Sequence, residues 1–220
     1  RREIRTLSAA ERDVFVKAVK ALQARPSPSA PSRYDEYARL HNDNAPFCHG
    51  SPVFLPWHRR MLREMELDLQ KTDPSIMLPY WDWSMDSQAP ETSIVFDKAY
   101  FGGNGKSKGC VADGPFADWQ PFYPQPGCLR RTFDDKQQIG AFYSPEAVQS
   151  TITRNADFNS FSREVEGTCH ARVHNGIGGS MLNMYSPSDP LFFLHHGMID
   201  RVWWQWQNAR PGNRMAFGGR

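Results

Sequence analysis

Apolar residues return every three or four positions in "ERDVFVKAVKALQ", residues 11–23, which is the period of a helix with one buried face. "SAAE", Ser8 to Glu11, stands just ahead of it with the form of a capping box and predicts the start of that helix. Pro26, Pro28 and Pro31 then break the pattern. A second helix is expected over "SRYDEYARLH", with His41 near its end, followed by a short loop over "HNDNAPFCHGSP". "VFLPWHRRMLREMELDLQKTD" predicts a third helix with His58 in its early part, and "MLPYWDW" reads as a buried segment. From about residue 84 to 145 glycine, proline, aspartate and aromatics displace any period, and a long irregular excursion is expected. Helical pattern resumes over about 161–176 and 190–208. The expectation is a mainly α chain with long irregular loops, folded as one domain over residues 1–220.

A chain of 220 residues is long enough to bury a sizeable core, and 13% of it is aromatic. A net charge of +2 gives no field that would recruit nucleic acid, and no apolar run is long enough to span a membrane. Four cysteines are compatible with two bridges. Cys110 and Cys128 both lie in the irregular excursion, where a disulfide between them would tie down a segment with little regular structure. The cysteine count is compatible with secretion without establishing it, and the setting expected for the chain is extracellular.

The seven histidines change the picture. Three lie between residues 41 and 58, four between 170 and 196, and none elsewhere. In "CHARVHNG" His170 and His174 stand at i and i+4, so both rings leave one helical face and reach one ion. His196 sits on the next helix four residues before Asp200, a spacing that lets the carboxylate hold the second ring nitrogen. His195 has Ile199 at the matching position and is the weaker candidate. His41, His49 and His58 form the other half. Three imidazoles per half-site, without a carboxylate or thiolate at ligand spacing, favour two coppers, with zinc the alternative.

"HGSPVFLPWHRR", "HARVHNGIGGSM" and "SPSDPLFFLHHGMIDRVWWQW" resemble the two copper-binding regions of the type 3 dicopper proteins: tyrosinases, catechol oxidases and hemocyanins. "PYWDW" is similar to a recurrent tyrosinase segment, and the short interval from His41 to His49 looks most like the short fungal catechol oxidases. The resemblance spans roughly residues 34–83 and 161–207. It implies an antiparallel four-helix bundle around a dinuclear copper centre, with a copper-A region at about 34–70 and a copper-B region at about 161–208. His41, His49 and His58 match the copper-A ligands; His170, His174 and His196 match the copper-B ligands. Members commonly continue into a C-terminal shielding domain, which is expected to be absent from this chain.

The implied partners are O2 and phenolic or catecholic small molecules, with no nucleic acid and no membrane. The implied activity is oxidation of o-diphenols to o-quinones with reduction of O2 to water. The alternatives are a tyrosinase that also ortho-hydroxylates monophenols and a hemocyanin-type O2 carrier. Glu166 matches the family's water-holding glutamate. Ala171 follows the first copper-B histidine, where efficient monophenolases often carry asparagine, and Asn175 follows the second; weak monophenol hydroxylation is therefore expected. Met184, or Asn183 in the neighbouring register, matches the gate over copper A, and Arg172 is a candidate for the substrate entrance. Phe54 is expected to pack against a ligand imidazole. Cys48 is directly adjacent to His49, whereas fungal members place a thioether-forming cysteine two residues before that histidine. Adjacent side chains on extended backbone point apart, which argues against a thioether. Cys48 and Cys169 each precede a ligand histidine, so a bridge between the half-sites is the alternative.

Overall fold

A computed structural model describes residues 1–218; the last two residues of the expected domain lie outside the described residues. The fold is mainly helical, and among the described residues β structure is confined to isolated bridges. Helix α1 (Ala9–Leu22) starts at the expected capping box: Ser8 accepts from the Glu11 amide while the Glu11 carboxylate accepts from the Ser8 amide. Helix α2 (Arg33–Cys48) is capped in the same way by Ser32 and Asp35.

Helix α2 overruns its expected end near His41 and continues through the predicted loop to Cys48, with Pro46 inside it. Proline removes one backbone donor, but it stands in the last turn, and the helix closes beyond it with His49 N–H donating to Ala45 O at 3.1 Å. Helix α3 (Phe54–Gln70) lies along the long last helix, and the "MLPYWDW" segment is buried as expected at Leu78, Trp81 and Trp83. Trp81 N–H donates to Leu194 O at 3.1 Å, which fixes that segment against the helix of the histidine pair.

The excursion from 84 to 144 is irregular apart from short 3-10 turns. Its anchor is Arg131, which is fully buried and reaches both carboxylate oxygens of Asp189 at 2.8 and 2.9 Å. The Cys110–Cys128 disulfide closes a second tie. Helix α4 (Pro145–Arg154) is an element the apolar pattern leaves out, although Ser144 caps it and Pro145 occupies its first position. The segment expected as one helix over 161–176 is three: α5 (Phe158–Val165), a π turn (Glu166–His170) and α6 (Ala171–Ile177). Gly178 ends α6 at φ 66, and a β-carbon there would stand 2.0 Å from Thr132 O, so only glycine fits. Helix α7 (Leu191–Ala209) closes the fold and is buried along most of its length.

Candidate metal centre

Helices α2, α3, α6 and α7 and the π turn aim their histidines at one region. Nitrogens of His41, His49 and His58 lie within 4.8 Å of one another, as do those of His170, His174, His195 and His196. The half-sites adjoin: the rings of His58 and His196 stack at 4.4 Å and 14°.

The backbone sets the tautomers. Nδ1 of His41 donates to Met184 O at 2.6 Å, Nδ1 of His58 to Phe54 O at 2.8 Å, Nδ1 of His170 to Glu166 O at 3.0 Å and Nδ1 of His174 to Met181 O at 2.8 Å. A carbonyl only accepts, so each Nδ1 carries the proton and each Nε2 presents a bare lone pair. The Nε2 atoms of His41, His58 and His170 are buried without a hydrogen-bond partner. Nε2 of His174 and of His196 face each other at 3.4 Å, two nitrogens that a cation between the rings would reconcile. Burial pushes His41 down to about 3 and His174 to about 4, and depresses the other five imidazoles as well. All are neutral near pH 7, the form that ligates metal. Buried inward lone pairs that lack a donor fit a pair of copper ions well.

The π turn serves His170 directly. The Glu166 carbonyl accepts both the Ala171 amide and the His170 ring, which turns that ring into the site. The Glu166 side chain reaches the other half-site: Oε1 accepts from Gly50 N–H at 2.8 Å, one residue from His49. Burial raises its carboxyl above the usual range, partly offset by that amide.

Phe54 lies 4.8 Å from the His58 ring and 4.9 Å from His170, touching both half-sites. Phe192 does the same from the other helix, 4.1 Å from His196 and 5.2 Å from His41. The sequence reading did not single out Phe192. Its signal was present, since Phe192 precedes His196 by the same four residues as Phe54 precedes His58. His195, the weaker candidate, is fully buried with both ring nitrogens unpartnered and joins the second histidine group.

A cavity of about 150 Å3 opens over the histidines. Among the residues lining it are His41, His49, His170, His174, Ala171 and Asn175, with Asn183 and Met184 at its edge. Three expectations are corrected here. Asp200 does not hold His196: its carboxylate is taken by Arg59 and by Arg1 (2.6 Å), while Nδ1 of His196 is buried without a partner. Arg1, Arg59 and Asp200 line one surface depression with Tyr80 and Trp204, whereas the His196 ring is buried. Arg172 does not line the entrance; it binds Asp134 at 2.6 Å and the carbonyls of Gly140 and Ala141, which pins the excursion to α6. Cys48 and Cys169 are both free and buried, so no bridge joins the half-sites. Burial pushes both thiols up to about 12. The Cys48 sulfur nonetheless lies 3.4 Å from Nδ1 of His49, because Cys48 is the last residue of a helix and the alternation of extended backbone does not apply.

The common central domain of tyrosinase matches residues 31–209. The chain is 37% identical to the tyrosinase ustQ of Aspergillus flavus over 98% of its length, covering 65% of that protein. It is 36% identical to a tyrosinase of Streptomyces glaucescens, covering 94% of this chain and 82% of that one. Against a tyrosinase-like protein of Diaporthe leptostromiformis it spans 60% of the relative's length, so it falls short of two thirds of both fungal relatives. Among solved structures, the polyphenol oxidase of Thermothelomyces thermophila (mutant G292N) superposes with a TM-score of 0.80 at 29% identity, covering 96% of this chain and 71% of that one. An octopus hemocyanin unit shares the fold, with a TM-score of 0.67 at 22% identity over 94% and 52% of the two chains.

Proposed function

The chain belongs to the tyrosinase family, which uses a dinuclear copper centre, and from that premise we propose that it is a polyphenol oxidase converting o-diphenols to o-quinones. His41, His49 and His58 hold one copper through their inward nitrogens, and His170, His174 and His196 hold the other. When bound, the two coppers supply the two-electron exchange that oxidises a catechol and reduces O2 to water. Two catechols thus consume one O2 and yield two quinones and two waters.

The observation that carries this reading is the cavity itself. It reaches the rings of both half-sites from the surface, so a phenol ring has a path to the site that a sealed O2 carrier would deny it. The protein's part is to fix the histidines by backbone carbonyls, to keep water from their lone pairs with Phe54 and Phe192, and to orient the incoming ring. Glu166, with one carboxylate oxygen on Gly50 and the other without a partner among the described residues, holds a water that takes the phenol proton. Ala171 offers that water no hydrogen bond, so diphenol oxidation outruns monophenol hydroxylation. The Glu166 position favours a second reading, a tyrosinase acting on both classes. The Cys110–Cys128 bridge supports a secreted setting.

The test is O2 uptake by copper-loaded protein given 4-tert-butylcatechol and then tyramine, with quinone absorbance followed alongside. Fast uptake with the catechol alone supports the proposal. Equal rates without a lag make the protein a tyrosinase, and reversible O2 binding without quinone makes it a carrier.

A further inference from the structure

The cavity over the histidines, about 150 Å3, is smaller than the roughly 300–1,000 Å3 of pockets that enclose a drug-sized molecule. It admits a ring and leaves outside whatever that ring carries. Leu182 and Asn183 form part of its wall and also part of the wall of a second cleft, of about 670 Å3, built from the disulfide-tied excursion and the turn after α6. Lys106, Lys108, Arg130 and Lys136 line that larger cleft, all exposed, and no aspartate or glutamate does.

Among the described residues the lysines that pair with acids are Lys20 and Lys71, so the three cleft lysines make no ion pair, and neither does Arg130. Arg131 also lines the cleft but differs: its guanidinium is fully buried and paired with Asp189. The chain as a whole carries only +2, so four unpaired cations in one depression are a local concentration rather than a share of a general surplus. Lys108 and Lys136 also hold φ angles of 55 and 60, a backbone region that favours glycine or asparagine. The positive charge therefore stands where local conformation argues for other residues.

We propose that this cleft is a tail-binding site and that the preferred substrates are phenols or catechols bearing an acidic tail, a chain with two or more carboxylates. The ring passes Leu182 and Asn183 to the histidines while the tail lies among Lys106, Lys108, Arg130 and Lys136. The inference rests on the polyphenol-oxidase reading of the histidine site. Tail contacts are alike in the ground and transition states, so they lower KM and leave kcat unchanged. They are exposed, so salt screens them.

Three catechols of the copper-loaded protein's own reaction class test it: dihydrocaffeoyl-Glu-Glu, its neutral dihydrocaffeoyl-Gln-Gln amide, and tail-less 4-methylcatechol. At low salt the expected KM of the acidic compound is about tenfold below that of the neutral one, and the gap closes at about 0.5 M salt. In the variant Lys106→Gln, Lys108→Gln, Arg130→Gln, Lys136→Gln the two KM values converge, while kcat and the 4-methylcatechol parameters hold. Equal KM values in the parent protein, or an acidic preference that survives in the variant, overturn the inference. Calorimetric binding of hydrocinnamoyl-Glu-Glu, which cannot be oxidised, reads the cleft without catalysis, and equal affinity in parent and variant also overturns it. Failure to oxidise even 4-methylcatechol overturns the oxidase reading and with it any catalytic role for the cleft. Circular dichroism of the variant confirms that the fold is retained.

Discussion

Asp200 stands four residues after His196 on α7, yet its carboxylate serves Arg59 and Arg1. Arg59 lies in turn 3.6 Å over the Trp203 ring, so the cluster stitches the N-terminus and α3 to α7. Asp200→Asn is therefore a stability change and not a metal-site change. The expected loss is about 1 kcal/mol, since the ion pairs are partly solvated, with copper affinity in a competition titration within about threefold of the parent. Were the carboxylate orienting His196, affinity would fall about 10- to 100-fold. On the proposed reading Glu166 belongs to the reaction instead. Glu166→Gln keeps the Gly50 hydrogen bond and the copper content but removes the base. Tyramine hydroxylation should fall by about 10²-fold or more while 4-tert-butylcatechol oxidation changes little, and a proportional loss of both activities would sink this assignment.

At the scale of elements, the start of α1 and the pairing of His170 with His174 were legible because their information is local. The capping box at Ser8 and the i, i+4 spacing of the two histidines each act within two turns of chain. What was not legible depends on partners remote in sequence. The π turn at Glu166 aims His170 into a site shared with α2 and α3, and Asp200 is claimed by an arginine 141 residues away. The excursion is the extreme case. Its shape comes from Arg131 buried on Asp189, from glycines that meet backbone, and from the Cys110–Cys128 bridge, none of which leaves a period. The bridge spans a sequence separation of 18, for which chain-entropy arguments give about 3 kcal/mol. Cys110→Ser with Cys128→Ser should lower stability by about that amount in denaturant titration. The change should loosen the cationic cleft, of which Cys128 is a wall, while leaving both half-sites able to bind copper.

Across the whole molecule, three carboxylates join elements that share little sequence. Asp68 on α3 receives Arg33 and Tyr37 from α2 at 2.6 Å each, and Lys71 at 2.6 Å. Glu164 on α5 receives Thr151 and Arg154 of α4 and the following Asn155. Asp134 in the excursion receives Arg172 of α6. In each case burial pushes the carboxyl up, and the hydrogen bonds more than offset it, so all three sit below the usual range. A depressed folded value means that stability is present in full above the unfolded value, near 3.9–4.3, and is lost as pH falls through the folded one. The clamps on α2–α3, α4–α5 and the excursion thus weaken over one acid window. Asp68 is the most buried of the three, with 5% of its side chain exposed, and it tests the point most cleanly. Asp68→Asn should cost about 2–3 kcal/mol at pH 7, and the difference in Tm between parent and variant should begin to shrink below about pH 4, where the unfolded parent's carboxyl takes up its proton. Taking the difference at each pH removes the loss of copper and the other titrations, which both proteins share. A Tm gap that stays constant from pH 7 to pH 3 would mean that Asp68 acts through shape alone and that its charge holds α2 to α3 no better than an amide does.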